Sequence, residues 1–174
     1  SRLLYSLEML PSHLIRGDMF IEAGDVLSDR GFSKARYRHL GLPSAAQRHV
    51  KDVELLLARI VPGPRDARIN SRPYYGHVIR QAYGAFVDLM AGKGESEERD
   101  VFDGQEIAEA LVVMGTSFSE WLCWNDAISV WMSCLSVSSL ALAKKAALLY
   151  TIGIAFLELS DYGQAVASLN ECLE

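Results

Sequence analysis

Residues 111–135 of this chain are repeated in pattern at residues 149–173, at a fixed offset of 38 positions. Leu111, Met114, Gly115, Phe118, Trp124, Ala127, Trp131, Cys134 and Leu135 recur as Leu149, Ile152, Gly153, Phe156, Tyr162, Ala165, Leu169, Cys172 and Leu173. A fixed-period match of small, aromatic and aliphatic positions marks supersecondary units that bury their apolar faces on one another. Stacked units of this kind present a surface for binding, whereas catalysis has to be argued from particular side chains.

The spacing within each copy is helical. Helices are expected at residues 103–120, 122–137, 139–159 and 161–173, which is a helix–turn–helix written twice. Gly115 and Gly153 stand where the first helix of each pair crosses the second, and Ala127 and Ala165 are the small residues of the second helix. Leaving out a side chain there lets two backbones approach, which offsets the helix-propensity cost of glycine. Phe118 with Trp124, and Phe156 with Tyr162, are expected to fill the wedge at each bend. Ser160-Asp161 supplies a turn and a cap for the last helix.

The first half follows the same helical logic less regularly. Apolar spacing predicts helices at 15–29, at 32–40 and from Ser44, as N-cap, to Ile60. Pro62-Gly63-Pro64 stops the third, and residues 62–72 read as a surface linker. A fourth helix is expected at 73–90, with Pro73 in its first turn. The polar, acidic stretch 92–100 reads as a loop. No segment alternates as a strand would, so the fold class is all-α. Residues 1–72 form a helical N-terminal region and residues 73–174 a repeat region, with clear units at 105–137 and 139–174.

Composition agrees with a packed helical chain, since half of the 174 residues are hydrophobic and 22% are charged. No apolar run approaches the roughly 18 residues that span a bilayer. Glu8, Pro11 and His13 cut the first apolar stretch too short for a signal peptide. The chain does not start with Met, as in a processed or excised piece. Cys123, Cys134 and Cys172 fit neither a disulfide framework nor metal spacing, so reduced thiols in the cytoplasm or nucleus are expected. Charge is uneven. Residues 1–72 carry 12 Lys/Arg and 8 Asp/Glu, whereas residues 73–174 carry 5 and 14.

The two copies resemble tetratricopeptide (TPR) repeats. Leu149-x-x-Ile152-Gly153-x-x-Phe156 with Tyr162 and Ala165 is similar to the family's small–aromatic–aromatic–small pattern, and Leu111-x-x-Met114-Gly115-x-x-Phe118 with Trp124 and Ala127 repeats it. The period here is 38 where the family's is 34, so four residues lengthen a helix or the turn near 136–140. A third copy is expected at Ala23, Val26, Phe32 and Ala35, and the helix at 75–89 as a half-unit under the first clear repeat. The resemblance implies a short right-handed solenoid with the N-terminal helices as a cap. It also implies a concave groove lined by Glu109, Val112, Thr116 and Ser119 from one unit and by Ala147, Tyr150, Ile154 and Leu157 from the next. Two outcomes stay open: a groove that takes a partner, or one filled by the N-terminal helices. The cations with which one family subclass clamps a chaperone's terminal carboxylate are absent, because Val112, Thr116, Tyr150 and Ile154 stand at those positions. An apolar groove edged by Glu109, Glu120 and Glu158 suits an amphipathic helix or a basic-apolar segment. The last helix is expected to leave an apolar outer face, which implies either a truncated chain or an interface at that end, with another protein or a second copy of the chain.

Other activities find less support. His13, His39, His49 and His77 are scattered, with no metal-binding spacing, and read as surface or partly packed residues. Gly92-Lys93-Gly94-Glu95-Ser96 lacks the spacing of a phosphate loop and is followed by acids. No nucleophile elbow appears. Nucleic acid is the rival reading, through Arg30, Lys34, Arg36, Arg38, Arg48, Lys51, Arg65, Arg68 and Arg72. The expectation is therefore a non-enzymatic protein–protein interaction module or scaffold subunit. It needs no cofactor or metal and does not insert into membranes.

Overall fold

A computed structural model describes residues 2–61, 72–90, 102–137 and 140–173. Among the described residues there are nine α-helices and no strand. They are α1 (Arg2–Arg16), α2 (Phe20–Ser28), α3 (Arg30–Leu40), α4 (Leu42–Ile60), α5 (Arg72–Met90), α6 (Gly104–Glu120), α7 (Trp124–Leu135), α8 (Leu142–Glu158) and α9 (Tyr162–Glu171). Two compact units result, Ser1–Phe102 and Asp103–Glu174. The division falls later than the expected one at 72, because α5 packs against α2, α3 and α4. That helix belongs with the first unit. The linker expected at 62–72 and the loop at 92–100 lie almost wholly outside the described residues.

In the second unit α6 packs on α7, α8 on α9, and α7 also on α8. Several local contacts recur at the 38-residue offset. Each first helix ends in a Schellman motif, in which a left-handed residue turns the chain and its neighbours satisfy the last carbonyls. Leu122 (φ 61°) and Ser160 (φ 60°) are those residues. Cys123 N–H donates to the Phe118 carbonyl and Asp161 N–H to the Phe156 carbonyl, both at 2.9 Å. The thiols repeat too. Cys134 Sγ–H points to the Ala108 carbonyl at 3.6 Å and Cys172 Sγ–H to the Ala146 carbonyl at 3.2 Å.

Both repeat glycines are required by close approach, chiefly to a large side chain, and at Gly153 also to the Ala165 carbonyl at 3.4 Å from where a Cβ would stand. A Cβ at Gly115 would stand 2.5 Å from Cδ1 of Trp131, and one at Gly153 would stand 2.8 Å from Cγ of Leu169. The glycine thus makes room for the large side chain sixteen residues on. Ala127 and Ala165 are fully buried beside it. Phe118 is buried at its bend as expected, but Tyr162 is exposed and fills no wedge. As anticipated, Asp161 caps α9, its Oδ1 accepting from Gln164 N–H at 3.1 Å. The turn inside each hairpin takes three residues, and six residues lie between the end of α7 and the start of α8.

The first unit opens with a helix the sequence reading lacked. α1 runs through Pro11 and ends at Arg16, so the expected helix at 15–29 is two helices, parted by Gly17, Asp18 and Met19. Asp18 is left-handed (φ 59°), and Met19 N–H donates to the Leu14 carbonyl at 2.9 Å. One turn later Ala23 N–H meets the Met19 carbonyl at 3.0 Å, as Ala127 meets Cys123 at 2.9 Å. The α1–α2 turn therefore closes like the two clear hairpins. The turn for which a third copy was expected, between α2 and α3, does not. There Asp29 is extended (φ −76°, ψ 124°) and accepts Phe32 N–H at 2.6 Å, an ordinary N-cap. α4 also starts earlier than Ser44, because Pro43 fits its first turn.

Pro11 explains the centre of this unit. Proline has no N–H, so the Leu7 carbonyl four residues earlier loses its helical partner. Arg36, wholly buried, donates Nε–H to that carbonyl at 2.8 Å. Its Nη2 donates to Asp52 Oδ2 at 2.7 Å, and Arg48 approaches the other Asp52 oxygen at 3.5 Å. The Arg36 guanidinium lies over the Phe32 ring, 4.7 Å from its centroid. Burial holds the Asp52 carboxyl above its usual range and the Arg36 guanidinium below its own, because desolvation of each exceeds their attraction.

Candidate functional site

On α6 the residues Glu109, Val112, Thr116 and Ser119 follow the i, i+3, i+7, i+10 spacing of one helix face. On α8, 38 positions on, Ala147, Tyr150, Ile154 and Leu157 follow the same spacing. Seven of these eight side chains are exposed and Ser119 is half-buried. Large apolar groups are among them, with Tyr150 at 56% and Leu157 at 41% exposure. The hydroxyls add little polarity, because Thr116 Oγ1 donates to the Val112 carbonyl at 2.9 Å and Ser119 Oγ to the Thr116 carbonyl at 2.7 Å. Turned onto their own helix, they present methyl and methylene groups outward.

The two rows meet at one end. Lys144 Nζ in the first turn of α8 lies 3.7 Å from Glu109 Oε1 on α6, and Gln105 donates to the same oxygen at 2.6 Å. Both partners are half-exposed, so this ion pair contributes little stability and yields readily to a competing charge. Glu120 and Glu158, at the far ends of α6 and α8, are exposed acids. The face is apolar along its length and acidic at its margins.

The residues of the nucleic-acid reading separate. Arg36 is buried against Asp52 and cannot reach a phosphate, and Arg48 leans on the same carboxylate. Arg65 and Arg68, and the side chain of Arg72, lie outside the described residues. Arg30, Arg38 and Lys51 are exposed and Lys34 is half-buried.

One histidine departs from expectation. His49 is fully buried, with Nε2 3.0 Å from the Ala82 carbonyl and its ring 4.7 Å from that of Phe86. A carbonyl only accepts, so Nε2 carries the proton, and burial with Arg36 nearby pushes the pKa down to about 3. His13, His39 and His77 are exposed. The loop Gly92–Ser96 lies outside the described residues. All three cysteines are free thiols, two buried and Cys172 half-buried. No described helix is long and apolar enough to cross a membrane, and no group of described side chains has the makings of a metal site.

A second concavity escaped the sequence reading. An open cleft of about 460 Å³ is lined by Phe20, Gly24, Leu56, Ile60 and Val78, with Asp25, Ser28 and Gln81 as polar members. Its one sequence signal was Gly24, a helix glycine whose Cβ position meets nothing within 4 Å.

No protein-family model matches the chain, and no curated protein is significantly similar to it.

Proposed function

We propose that this chain is a non-catalytic interaction module built on TPR-like hairpins, and that the α6–α8 face receives an amphipathic helix or a basic-apolar segment of another protein. One observation carries the reading. The first helices of the two hairpins, α6 and α8, expose apolar side chains in the same register, Val112 on one and Tyr150, Ile154 and Leu157 on the other, with acidic residues at the margins. An apolar stripe on a partner helix fits such a row, and Lys or Arg at its flanks complements Glu109, Glu120 and Glu158.

The shared hairpin geometry supports the family resemblance: small residues under large ones at Gly115/Trp131 and Gly153/Leu169, and matching left-handed turns. The reading accords with a subunit of a larger assembly in a reducing compartment, where three cysteines outside any disulfide are at ease.

Selection of helical peptides from a display library on the whole chain tests the proposal. Enriched sequences should pair an i, i+3/i+4, i+7 apolar stripe with Lys or Arg. Combined Val112→Arg and Tyr150→Ala should weaken them at least tenfold. Enriched peptides that bind this variant as well as the parent would refute the groove.

A further inference from the structure

The buried ionic cluster of the first unit holds more hydrogen-bonding capacity than its own residues use. Ser33 and Arg36 lie one turn apart on α3, His49 and Asp52 one turn apart on α4, and the two helices pack on each other. Ser33, Arg36 and His49 are fully buried. The Leu7 carbonyl takes Nε–H of Arg36 and Asp52 takes Nη2–H, which leaves Nη1 without a partner among the described residues. Ser33 Oγ and His49 Nδ1 are left in the same condition. Arg48 Nε is too, but its side chain is 31% exposed. Buried polar atoms in native proteins are satisfied by protein groups or by ordered water, so three of them in one cluster call for a shared partner.

The chemistry of the three atoms selects that partner. An arginine nitrogen only donates. His49 Nδ1 only accepts, because Nε2 carries the proton toward the Ala82 carbonyl at 3.0 Å. A serine hydroxyl does either. The charge of Arg36 acts on the His49 imidazole, so the donor and the acceptor are neighbours. A water molecule accepts from Arg36, donates to His49 and keeps one bond for Ser33, and three bonds are what an internal water typically makes. A small anion is the rival occupant, since two arginines meet here. It fits worse on both counts. Asp52 and Glu8 already act on Arg36 and balance the positive charge, and the lone pair of Nδ1 repels a negative ion.

We propose that one internal water bridges Arg36 Nη1, His49 Nδ1 and Ser33 Oγ. It completes a hydrogen-bonded path from the Leu7 carbonyl on α1, through α3 and α4, to the Ala82 carbonyl on α5. A crystal structure of the intact chain that shows solvent tests this directly. One oxygen should stand about 2.7–3.2 Å from both Arg36 Nη1 and His49 Nδ1. In solution that water should reside long enough to give the His49 ring a nuclear Overhauser effect of the slow-tumbling sign. Ser33→Val removes the hydroxyl and puts methyl groups in the water's place. The effect should then vanish, and the Nδ1 resonance should move toward that of a bare lone pair. Ser33→Ala, which leaves the space and two of the three bonds, should keep both signals. Should the valine variant not fold, the crystal and Overhauser data on the parent decide alone. The proposal is overturned if no ordered oxygen joins the two nitrogens, if the ring shows no such effect, or if the effect survives Ser33→Val unchanged. Bromide from the crystal solution found at the position would overturn it as well, because the occupant is then an anion.

Discussion

Proline in the middle of a helix removes a donor, and in this chain the replacement donor is an arginine 25 positions later. Pro11 leaves the Leu7 carbonyl free, Arg36 fills it, and Asp52 neutralises Arg36. The three residues behave as one device. Arg36→Met should cost about 3–5 kcal/mol in the parent chain, since it leaves Asp52 buried without its closest partner. With Pro11→Ala, the restored N–H competes for Leu7 and the same change should cost less, giving a coupling of about 1 kcal/mol or more in urea unfolding. Strict additivity would show that the proline and the arginine are independent. His49 makes a second prediction. Its folded pKa lies near 3, below the value of about 6.5 it has when unfolded, so the unfolded chain takes up the proton first. The stability this gives is whole above about pH 6.5 and is lost as pH falls toward 3. Between pH 7.5 and 5 the parent should lose about 2 kcal/mol more than His49→Gln, which retains a donor for the Ala82 carbonyl. Equal losses would mean that bulk solvent reaches the ring.

Each repeat glycine sits under a different lid, and the lids differ in how far they can give. At Gly115 the neighbour is the Trp131 indole, 3% exposed and rigid, whereas at Gly153 it is the branched end of Leu169, which can change rotamer. Gly115→Ala should therefore cost about 1–3 kcal/mol, while Gly153→Ala should stay within about 1 kcal/mol of the parent, its clash offset by helix propensity. Thermal unfolding decides it, and equal costs would show that the two crossings are not held by these side chains. The repeat was legible because apolar and small residues at fixed spacing are what packing demands. Its turns were not. Asp18, Leu122 and Ser160 share a backbone shape and no side-chain chemistry, so composition gave no sign that the α1–α2 turn matches the other two. α1 itself stayed hidden because Pro11 reads locally as a stop, and the donor that makes it tolerable comes from α3. Arg36 was misread as surface for the same reason, since a buried partner at Asp52 leaves no local trace. The exposed rows on α6 and α8 could be placed by number, because helical spacing alone puts every third or fourth residue on one face.

At the scale of the molecule the two units differ in what holds them together. The first is centred on a buried ionic cluster, while in the second the buried polar residues among those described are Ser117 and Ser168, neither of them charged. Acid should therefore act first on the unit that contains His49. The thiols offer a way to watch the second unit alone. Cys134 and Cys172 occupy equivalent seats, each pointing at a carbonyl 26 residues earlier on the helix it leans against. Cys134 is buried and its thiol is pushed up in pKa by that burial, whereas Cys172 is half-buried. A thiol reagent under native conditions should reach Cys172 first, and Cys134 only on larger opening events. The ratio of the two labelling rates would read, without any engineered probe, how much more often the terminal helix lifts than the one before it.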